Sequence, residues 1–278
     1  MNILFTGKGT SGSWQCRGVQ LGGEIGTVKA NATLEDCQKA DAIVVVKRIN
    51  APFFDNVLKS GKPWIWDLVD FYPQPKCGEW DRSTAINWVC KQIRHANPAG
   101  IIWPNLKMKK DCGFYGMVVY HHARNAQINP IREHVKTVGY DGSEKFLGQW
   151  RGWVQHECRL RGWQFVERAP LHEVDIVVAF RDGEHNGYVQ QHWKSNVKLA
   201  NAHGTGTPFI GQLENSYLET CAGGEVWITN EKGLSRAFDE LTPYESRLAV
   251  HKQFLANTFT LESRAAQVKE YVETLLRG

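Results

Sequence analysis

The chain reads as an α/β protein made of two doubly wound domains that face each other across a cleft. Three observations predict this. Short β-rich runs alternate with helical segments from end to end, which calls for parallel strands joined by right-handed crossovers. The 278 residues suffice for two compact domains of roughly 120 to 140 residues each. A polar stretch at 123–133, with Asn-Ala-Gln-Ile-Asn-Pro at its centre, interrupts the alternation near the middle and reads as a linker.

In the first half, strands are expected at Asn2–Phe5, Thr27–Asn31, Ala42–Lys47, Trp64–Val69, Gly100–Pro104 and Met117–His121, each short and rich in β-branched or aromatic residues. Helices fall between them at Trp14–Gly22, Leu34–Lys39, Pro52–Ser60, Arg82–His95 and Leu106–Lys110. The second half repeats the pattern. Its strands are expected at Val135–Val138, Gln164–Glu167, Asp175–Ala179, Pro208–Gly211 and Glu225–Ile228, and its helices at Glu144–Arg161, Ser195–His203, Ser216–Ala222 and Gly233–Leu241. Two further helical segments, Tyr244–Asn257 and Leu261–Leu275, follow the second set of strands. The apolar stripe of the last one (Leu261, Ala265, Val268, Val272, Leu275) needs a partner, and the expectation is that it returns to the first domain. The domains are thus expected at 1–125 and 134–243, with 244–278 as appended helices. Ligands of open α/β sheets bind at the carboxyl ends of the strands, so the cleft between the two sheets is the place for a site.

Composition narrows the class. Seven cysteines are scattered singly, with no C-x-x-C pair, which points to a reducing cytoplasm rather than a disulfide framework. Runs such as Ile43–Val46 and Ile176–Phe180 are far shorter than the roughly 20 apolar residues of a membrane helix, so no membrane partner is expected. The net charge of +4 is uneven: residues 1–130 carry 16 Lys/Arg against 10 Asp/Glu, while the remainder carries 17 against 19. An excess of +6 steers anionic partners toward the first half, or is simply a mixed solvated surface. Six of the 11 Trp residues lie there too, as core or as stacking faces.

The first strand-to-helix turn is Thr6-Gly7-Lys8-Gly9-Thr10-Ser11-Gly12-Ser13-Trp14. Its glycines let a ligand approach backbone N–H groups, and Lys8, Thr10 and Ser11 add a charge and hydroxyls; a tight turn with no ligand is the alternative. It is neither a P-loop nor a dinucleotide fingerprint, lacking the Gly-Lys-Ser/Thr of the former and the acidic residue after the second strand of the latter. In Trp64–Asp70, alternation puts Trp64, Trp66, Leu68 and Asp70 on one face, with Asp70 at the cleft end. Asp70 there is a candidate general base for an acceptor hydroxyl, or a loop-bracing carboxylate for the turn 71–75. His121 and His122 end a strand without a carboxylate or cysteine at ligand spacing, which reads as cleft lining rather than a metal site.

The most informative segment is Lys194-Ser195-Asn196-Val197-Lys198-Leu199-Ala200-Asn201-Ala202-His203-Gly204-Thr205-Gly206-Thr207-Pro208-Phe209-Ile210-Gly211. Ser195 or Asn196 can cap its helix, whose positive end and Lys198 favour a diphosphate, and Gly204, Gly206 and Pro208 close it. This segment resembles the donor-binding helix of GT-B glycosyltransferases, approximately x-K-L-x-E-A-x-A-x-G-T-P-V-I, in order and spacing. Val138-Gly139-Tyr140-Asp141-Gly142, read as the first turn of the second domain, and Phe180-Arg181-Asp182-Gly183, at a strand end just before the helix, extend the resemblance.

The resemblance implies two Rossmann-like domains and a metal-independent glycosyltransferase that has no cofactor and takes a nucleotide-sugar, a UDP-sugar favoured, as co-substrate. It implies that Arg181 and Lys198 contact the donor diphosphate, and that Ser195, Asn196, Gly206, Thr207, Gly139 and Tyr140 line the donor side. Where the family's helix carries a ribose-binding Glu, this chain has Asn201, and Trp193 stands eight residues earlier in place of a second Glu. Asn201 and Glu214 are the candidates to take over. Gly7, Lys8, Gly9, Thr10, Ser11, Trp14, His121 and His122 fall on the acceptor side. The favoured acceptor is a hydroxymethylated pyrimidine in DNA, as for the base-modifying glycosyltransferases of bacteriophages, whose compact size the chain shares; Lys107-Met108-Lys109-Lys110 adds positive charge on that side. A small molecule or glycan is the alternative acceptor, and a non-catalytic nucleotide- or nucleic-acid-binding protein is the alternative of another class. A monomer in the cytoplasm is expected.

Overall fold

The computed structural model describes residues 1–70, 73–124 and 127–277. The first sheet contains β1 (Ile3–Gly7), β2 (Thr27–Ala30), β3 (Ala42–Val46), β4 (Trp64–Asp67), β5 (Gly100–Trp103) and β6 (Met117–Val118), all parallel, in the order β2-β1-β3-β4-β5-β6. Its crossovers are a π-helical segment Trp14–Leu21 continued by α1 (Gly22–Ile25), then α2 (Leu34–Gln38), α3 (Phe53–Lys59), α4 (Arg82–Ala96) and α5 (Leu106–Cys112). The central β3, Ala42-Ile43-Val44-Val45-Val46, is buried at every position, as a parallel strand covered on both faces must be. Local chemistry sets the helix ends. Asp81 Oδ1 accepts the Thr84 N–H at 2.7 Å to start α4, and Asn105 Oδ1 accepts the Met108 N–H at 2.7 Å to start α5, which stops at Gly113 with φ 72°.

The second sheet contains β7 (Thr137–Tyr140), β8 (Gln164–Glu167), β9 (Ile176–Ala179), β10 (Phe209–Gly211) and β11 (Val226–Trp227), again all parallel, in the order β11-β10-β9-β7-β8. Around it run α6 (Trp150–Leu160), α8 (Val197–Thr205), α9 (Asn215–Leu218), α10 (Lys232–Leu241) and α11 (Tyr244–Ala256), while α7 (Tyr188–Trp193), which lies between β9 and α8 in the chain, packs elsewhere. The chain therefore forms two parallel-sheet α/β domains. The last helix, α12 (Leu261–Arg277), packs on the first sheet: Ala265, Val268 and Val272 share a core with Ile3, Phe5, Val44 and Ile102, and the Tyr271 hydroxyl accepts the Ile101 N–H at 3.2 Å.

Five local readings differ from the sequence expectation, each for a physical reason. The helix expected over 144–161 splits into a 3-10 turn at Glu144–Phe146 and α6, because Gly148 takes a φ of 48° with the Asp182 side chain packed against it. Gly139 and Tyr140 belong to β7 rather than to the turn after it, so the turn begins at Asp141. The strand expected over Met117–His121 pairs only through Val118. The strand read as Trp64–Val69 stops at Asp67, and Val69 adopts φ 58°, a conformation that costs a β-branched residue on the order of 1–3 kcal/mol and that clusters at functional sites. The alternation itself holds through Val69: Trp64, Trp66 and Leu68 pack on one face of the sheet and Ile65 and Val69 on the other, with Asp67 buried beside Arg17, and Asp70 reaches the cleft. Phe71 and Tyr72 of the expected turn, and Asn125 and Ala126 of the expected linker, lie outside the described residues.

The fifth difference is α7, which was not expected at all. It lies within the stretch assigned to the second domain, yet Val189 and Trp193 are fully buried among Val89, Ile93, Trp103 and Met108 of the first. Asp111, at the end of α5, fixes it: the carboxylate accepts hydrogen bonds from Tyr188 Oη at 2.6 Å, Trp193 Nε1 at 2.9 Å, Lys107 Nζ at 2.8 Å and Arg82 Nη2 at 2.9 Å. Asn105 Nδ2 adds bonds to the carbonyls of His192 and Lys194.

Candidate functional site

A cavity of about 350 Å³ opens where the carboxyl ends of the two sheets meet. The first half contributes Ser11 and Ser13 after β1, Lys47 after β3, Asp70 after β4 and His121 after β6; the second contributes Asp141 after β7, Arg181 after β9, and Lys194, Ser195 and Lys198 around the start of α8. These side chains thus sit within six residues of a strand end, or within three residues of the start of α8.

Three cations of the second half converge. Arg181 Nε donates to Glu214 Oε1 at 2.7 Å, both nearly buried. Lys194 is 4% exposed and donates to Asp70 Oδ2 at 3.2 Å. Lys198 lies over the Tyr140 ring, 4.4 Å from its centroid, and donates to the Tyr140 hydroxyl at 3.2 Å, with no ion pair among the described residues. Burial, followed by the Arg181 charge, draws the Lys198 ammonium down to about 7, and burial draws Lys194 down to about 8 despite Asp70. An anion placed among these groups restores their charge, and the N-terminus of α8 adds the positive end of its dipole.

Across the cavity, Lys47 Nζ lies 2.5 Å from Asp70 Oδ1. Burial opposes the Asp70 charge, but Lys47 and Lys194 outweigh it and hold the carboxyl far below the usual carboxylate range. Like Val69, Lys47 carries a positive φ, 68°, so two strained residues close together at the ends of β3 and β4 aim this ion pair. Burial and the neighbouring Arg17 keep His121 neutral; its Nδ1 has no partner, and its backbone N–H donates to Asn196 Oδ1 at 2.8 Å.

Of the residues expected from sequence, Asp70, Ser11, His121, Arg181, Ser195, Lys198 and Asn201 line this cavity. Tyr140 reaches it through its bond to Lys198, and Glu214 braces Arg181 from behind. The others lie elsewhere. Trp14 is buried under the first turn, filling the space that Gly7 and Gly18 leave free: a Cβ at either would come within 2.8 and 2.3 Å of its ring. Lys8 and Thr10 are exposed at the rim, and Gly9 makes the turn with φ 88°. His122 is turned away, its Nε2 paired with Gln20 Oε1 at 3.0 Å. Neither Ser195 nor Asn196 caps α8 with its side chain; Asn196 is committed to His121 instead. Gly139 packs on Val174 inside β7. Gly206 and Thr207 lie at the far end of α8, because a helix that starts at the cleft ends on the opposite side of the sheet, where the next strand begins. Thr207 is fully buried, donating to the Leu171 carbonyl at 2.9 Å. Among the described residues no group of three His, Cys, Asp or Glu side chains is placed to hold a metal ion.

Sequence reasoning assigned no role to Lys47, Lys194, Asp141 or Arg124. The signal was available for three of them: Lys47 and Asp141 directly follow strands, and Lys194 is the first residue of the segment that resembles the donor-binding helix. Arg124 comes from the stretch expected to be a linker.

No family model and no curated protein sequence matches the chain. Solved structures do match it in fold. Anabaena HepE in complex with UDP and glucose superposes with a TM-score of 0.70 at 11% identity, covering 99% of this chain and 100% of that one. AviGT4, a glycosyltransferase involved in avilamycin A biosynthesis, gives 0.59 at 10% identity over 100% of this chain and 99% of that one. WaaG, a glycosyltransferase involved in lipopolysaccharide biosynthesis, gives 0.55 at 11% identity over 97% and 99%. The fold is therefore that of the GT-B glycosyltransferases over essentially the whole chain. None of these three is described as acting on DNA.

Proposed function

We propose that the protein is a glycosyltransferase that moves a sugar from a nucleoside diphosphate sugar, a UDP-sugar favoured, to an acceptor hydroxyl. The observation that carries this reading is the convergence of Arg181, Lys194 and Lys198 on the N-terminus of α8, in a cavity between two parallel sheets of the glycosyltransferase arrangement. HepE, solved with UDP and glucose, favours UDP as the nucleotide.

In the transfer, a bond forms between the acceptor oxygen and the anomeric carbon while the bond from that carbon to the diphosphate oxygen breaks. Negative charge grows on the departing diphosphate, where prearranged cations in a water-poor cavity stabilise it most. The acceptor proton goes to Asp70, the carboxylate that the first half presents to the cavity. With Lys47 and Lys194 both on it, Asp70 is a weak base; a bound diphosphate draws Lys194 away and returns basicity to it. His121, neutral and with a free ring nitrogen, faces the acceptor side. The acceptor favoured is a hydroxymethylated pyrimidine in DNA, supported by the excess of positive charge in the first half; a glycan or small molecule is the competing acceptor.

The deciding experiment incubates the protein with a panel of nucleotide-sugars and three acceptor sets, hydroxymethylated DNA, oligosaccharides and small alcohols, and reads nucleoside diphosphate release together with product mass. Release with a matching mass gain on one acceptor is expected. Nucleotide binding without release from any donor and acceptor pair favours a non-catalytic module instead.

A further inference from the structure

Asn201, which stands where the resembling family places a ribose-binding carboxylate, has both ends of its amide engaged: Arg124 N–H donates to Oδ1 at 2.8 Å, and Nδ2 donates to Asp141 Oδ2 at 2.9 Å. It is 1% exposed. Glu214 is buried with Oε1 on Arg181 and Oε2 without a hydrogen-bond partner among the described residues, but it lies outside the cavity lining. Two carboxylates do line the cavity, and Asp70 has both oxygens on lysines. Asp141 is the one with acceptor capacity to spare. Its side chain is 23% exposed, Oδ1 lies 3.3 Å from Arg124 Nη2 and Oδ2 takes the Asn201 amide, which fills about half of the roughly four acceptor positions of a carboxylate.

Its place in the cavity matters as much. Asp141 and Arg124 form the wall shared between the cation-lined cavity and a wider groove of about 630 Å³, bounded on its other side by Arg168–His172. A ligand anchored by its diphosphate on Lys198 and extending past Asp141 has room to continue into that groove. The group one unit from a diphosphate in a nucleotide is the ribose, whose 2′- and 3′-hydroxyls are adjacent donors, and two adjacent donors suit a carboxylate. Resting on the nucleotide-sugar reading of this cavity, we propose that Asp141 recognises the donor's ribose, taking over across the Asn201 hydrogen bond the role of the carboxylate that α8 lacks. The position is therefore a determinant of ribo- over deoxyribonucleotide specificity, because a site built to hold hydroxyls discriminates strongly against a ligand without them.

The test is calorimetric binding of UDP and 2′,3′-dideoxy-UDP to the wild type, Asp141→Ala and the isosteric Asp141→Asn. The wild type is expected to prefer UDP by at least about tenfold. In both variants that preference collapses to near unity, with dideoxy-UDP bound as tightly as before or tighter, since a negative charge has left the cavity; that retained affinity also shows that the variants fold. A preference that survives in both variants, with UDP still bound, overturns the assignment of Asp141 and leaves the nucleotide reading intact. A wild type that binds neither nucleotide, nor any other nucleoside diphosphate, overturns the nucleotide reading and this assignment with it.

Discussion

Lys194 Nζ meets Asp70 Oδ2 at 3.2 Å, joining the residue just before α8 to one just past β4 on the other side of the cleft. The cavity thus supplies its own counter-ion to a lysine that a diphosphate would claim, so ligand and protein carboxylate compete for one cation.

Asp70→Asn removes the competitor and the proposed proton acceptor together. Donor affinity is expected to hold or to improve a few-fold, while turnover falls roughly 10²–10⁴-fold, the usual effect of losing a positioned base. Steady-state kinetics beside donor calorimetry check this. Turnover within a few-fold of wild type, with only a lower melting temperature, makes Asp70 a structural carboxylate. An inverted anomeric product accompanies the base role; a retained one leaves Asp70 to position the acceptor.

Lys198→Ala is expected to weaken donor binding by about 10- to 150-fold, the worth of one charge-assisted hydrogen bond at roughly 1.5–3 kcal/mol. Arg181→Ala needs a partner change, because it strands the buried Glu214 carboxylate. The double variant Arg181→Ala/Glu214→Gln separates the loss of binding from the loss of stability. Unchanged affinity in Lys198→Ala and in the double variant removes both residues from the donor site.

Donor binding is expected to depend on pH through Lys198. Its ammonium titrates near 7 in the free protein, lowered by burial first and by Arg181 second, and a bound diphosphate raises it again. Below pH 7 the lysine is charged in both states and affinity is full; above it, binding must take up a proton, so affinity falls as pH rises from 7 until the bound-state value is reached. An intact nucleotide-sugar is the right ligand, since its diphosphate has no ionisation in this range. Calorimetry at pH 8 in buffers of different ionisation heat should show proton uptake in the wild type and less of it in Lys198→Met. Equal uptake in both assigns the linkage to another group.

Asp111→Ala should cost about 1–3 kcal/mol, the range for leaving buried donors without a charged acceptor, because Tyr188 and Trp193 lose theirs together while Lys107 and Arg82 stay open to solvent. Burial works against the Asp111 charge, yet its donors outweigh this and depress the carboxyl below its ordinary value near 3.8. Its stabilising effect is therefore complete above that value and is lost as pH falls from there toward the lower value of the folded state. Asp111→Asn should flatten the acid limb of the stability profile; a limb of unchanged steepness assigns acid sensitivity elsewhere.

The architecture was legible in the sequence because parallel strands buried on both faces announce themselves, as Ala42–Val46 does, and because the segment 194–211 has a distinctive order of Lys, small residues, Gly, Thr and Pro. The site was legible only in part. Arg181, Lys198 and Asp70 could be found because strand ends and helix starts are where open sheets place chemistry. Gly206 and Thr207 matched the same motif, yet they serve the fold at the far end of the helix, since a sequence motif does not separate what binds from what packs. Lys47 was passed over because it lies in no motif, Asp141 because the roles in its motif went to Gly139 and Tyr140, which belong to the strand before it, and α7 because its Val189 and Trp193 take their apolar partners from residues roughly one hundred positions away.

That last contact decides where the molecule can be cut and rejoined. Recombining one enzyme's acceptor half with another's donor half treats the linker as the seam. In this chain such a graft at about residue 130 would discard Val189 and Trp193 and open a hole between α4 and α5, while handing the new partner a helix with no groove to fill. A chimera that carries 186–194 along with the first half keeps that core whole and should yield soluble protein where the linker graft does not. The inheritable unit of this fold follows its packing, and the order of residues along the chain runs across it.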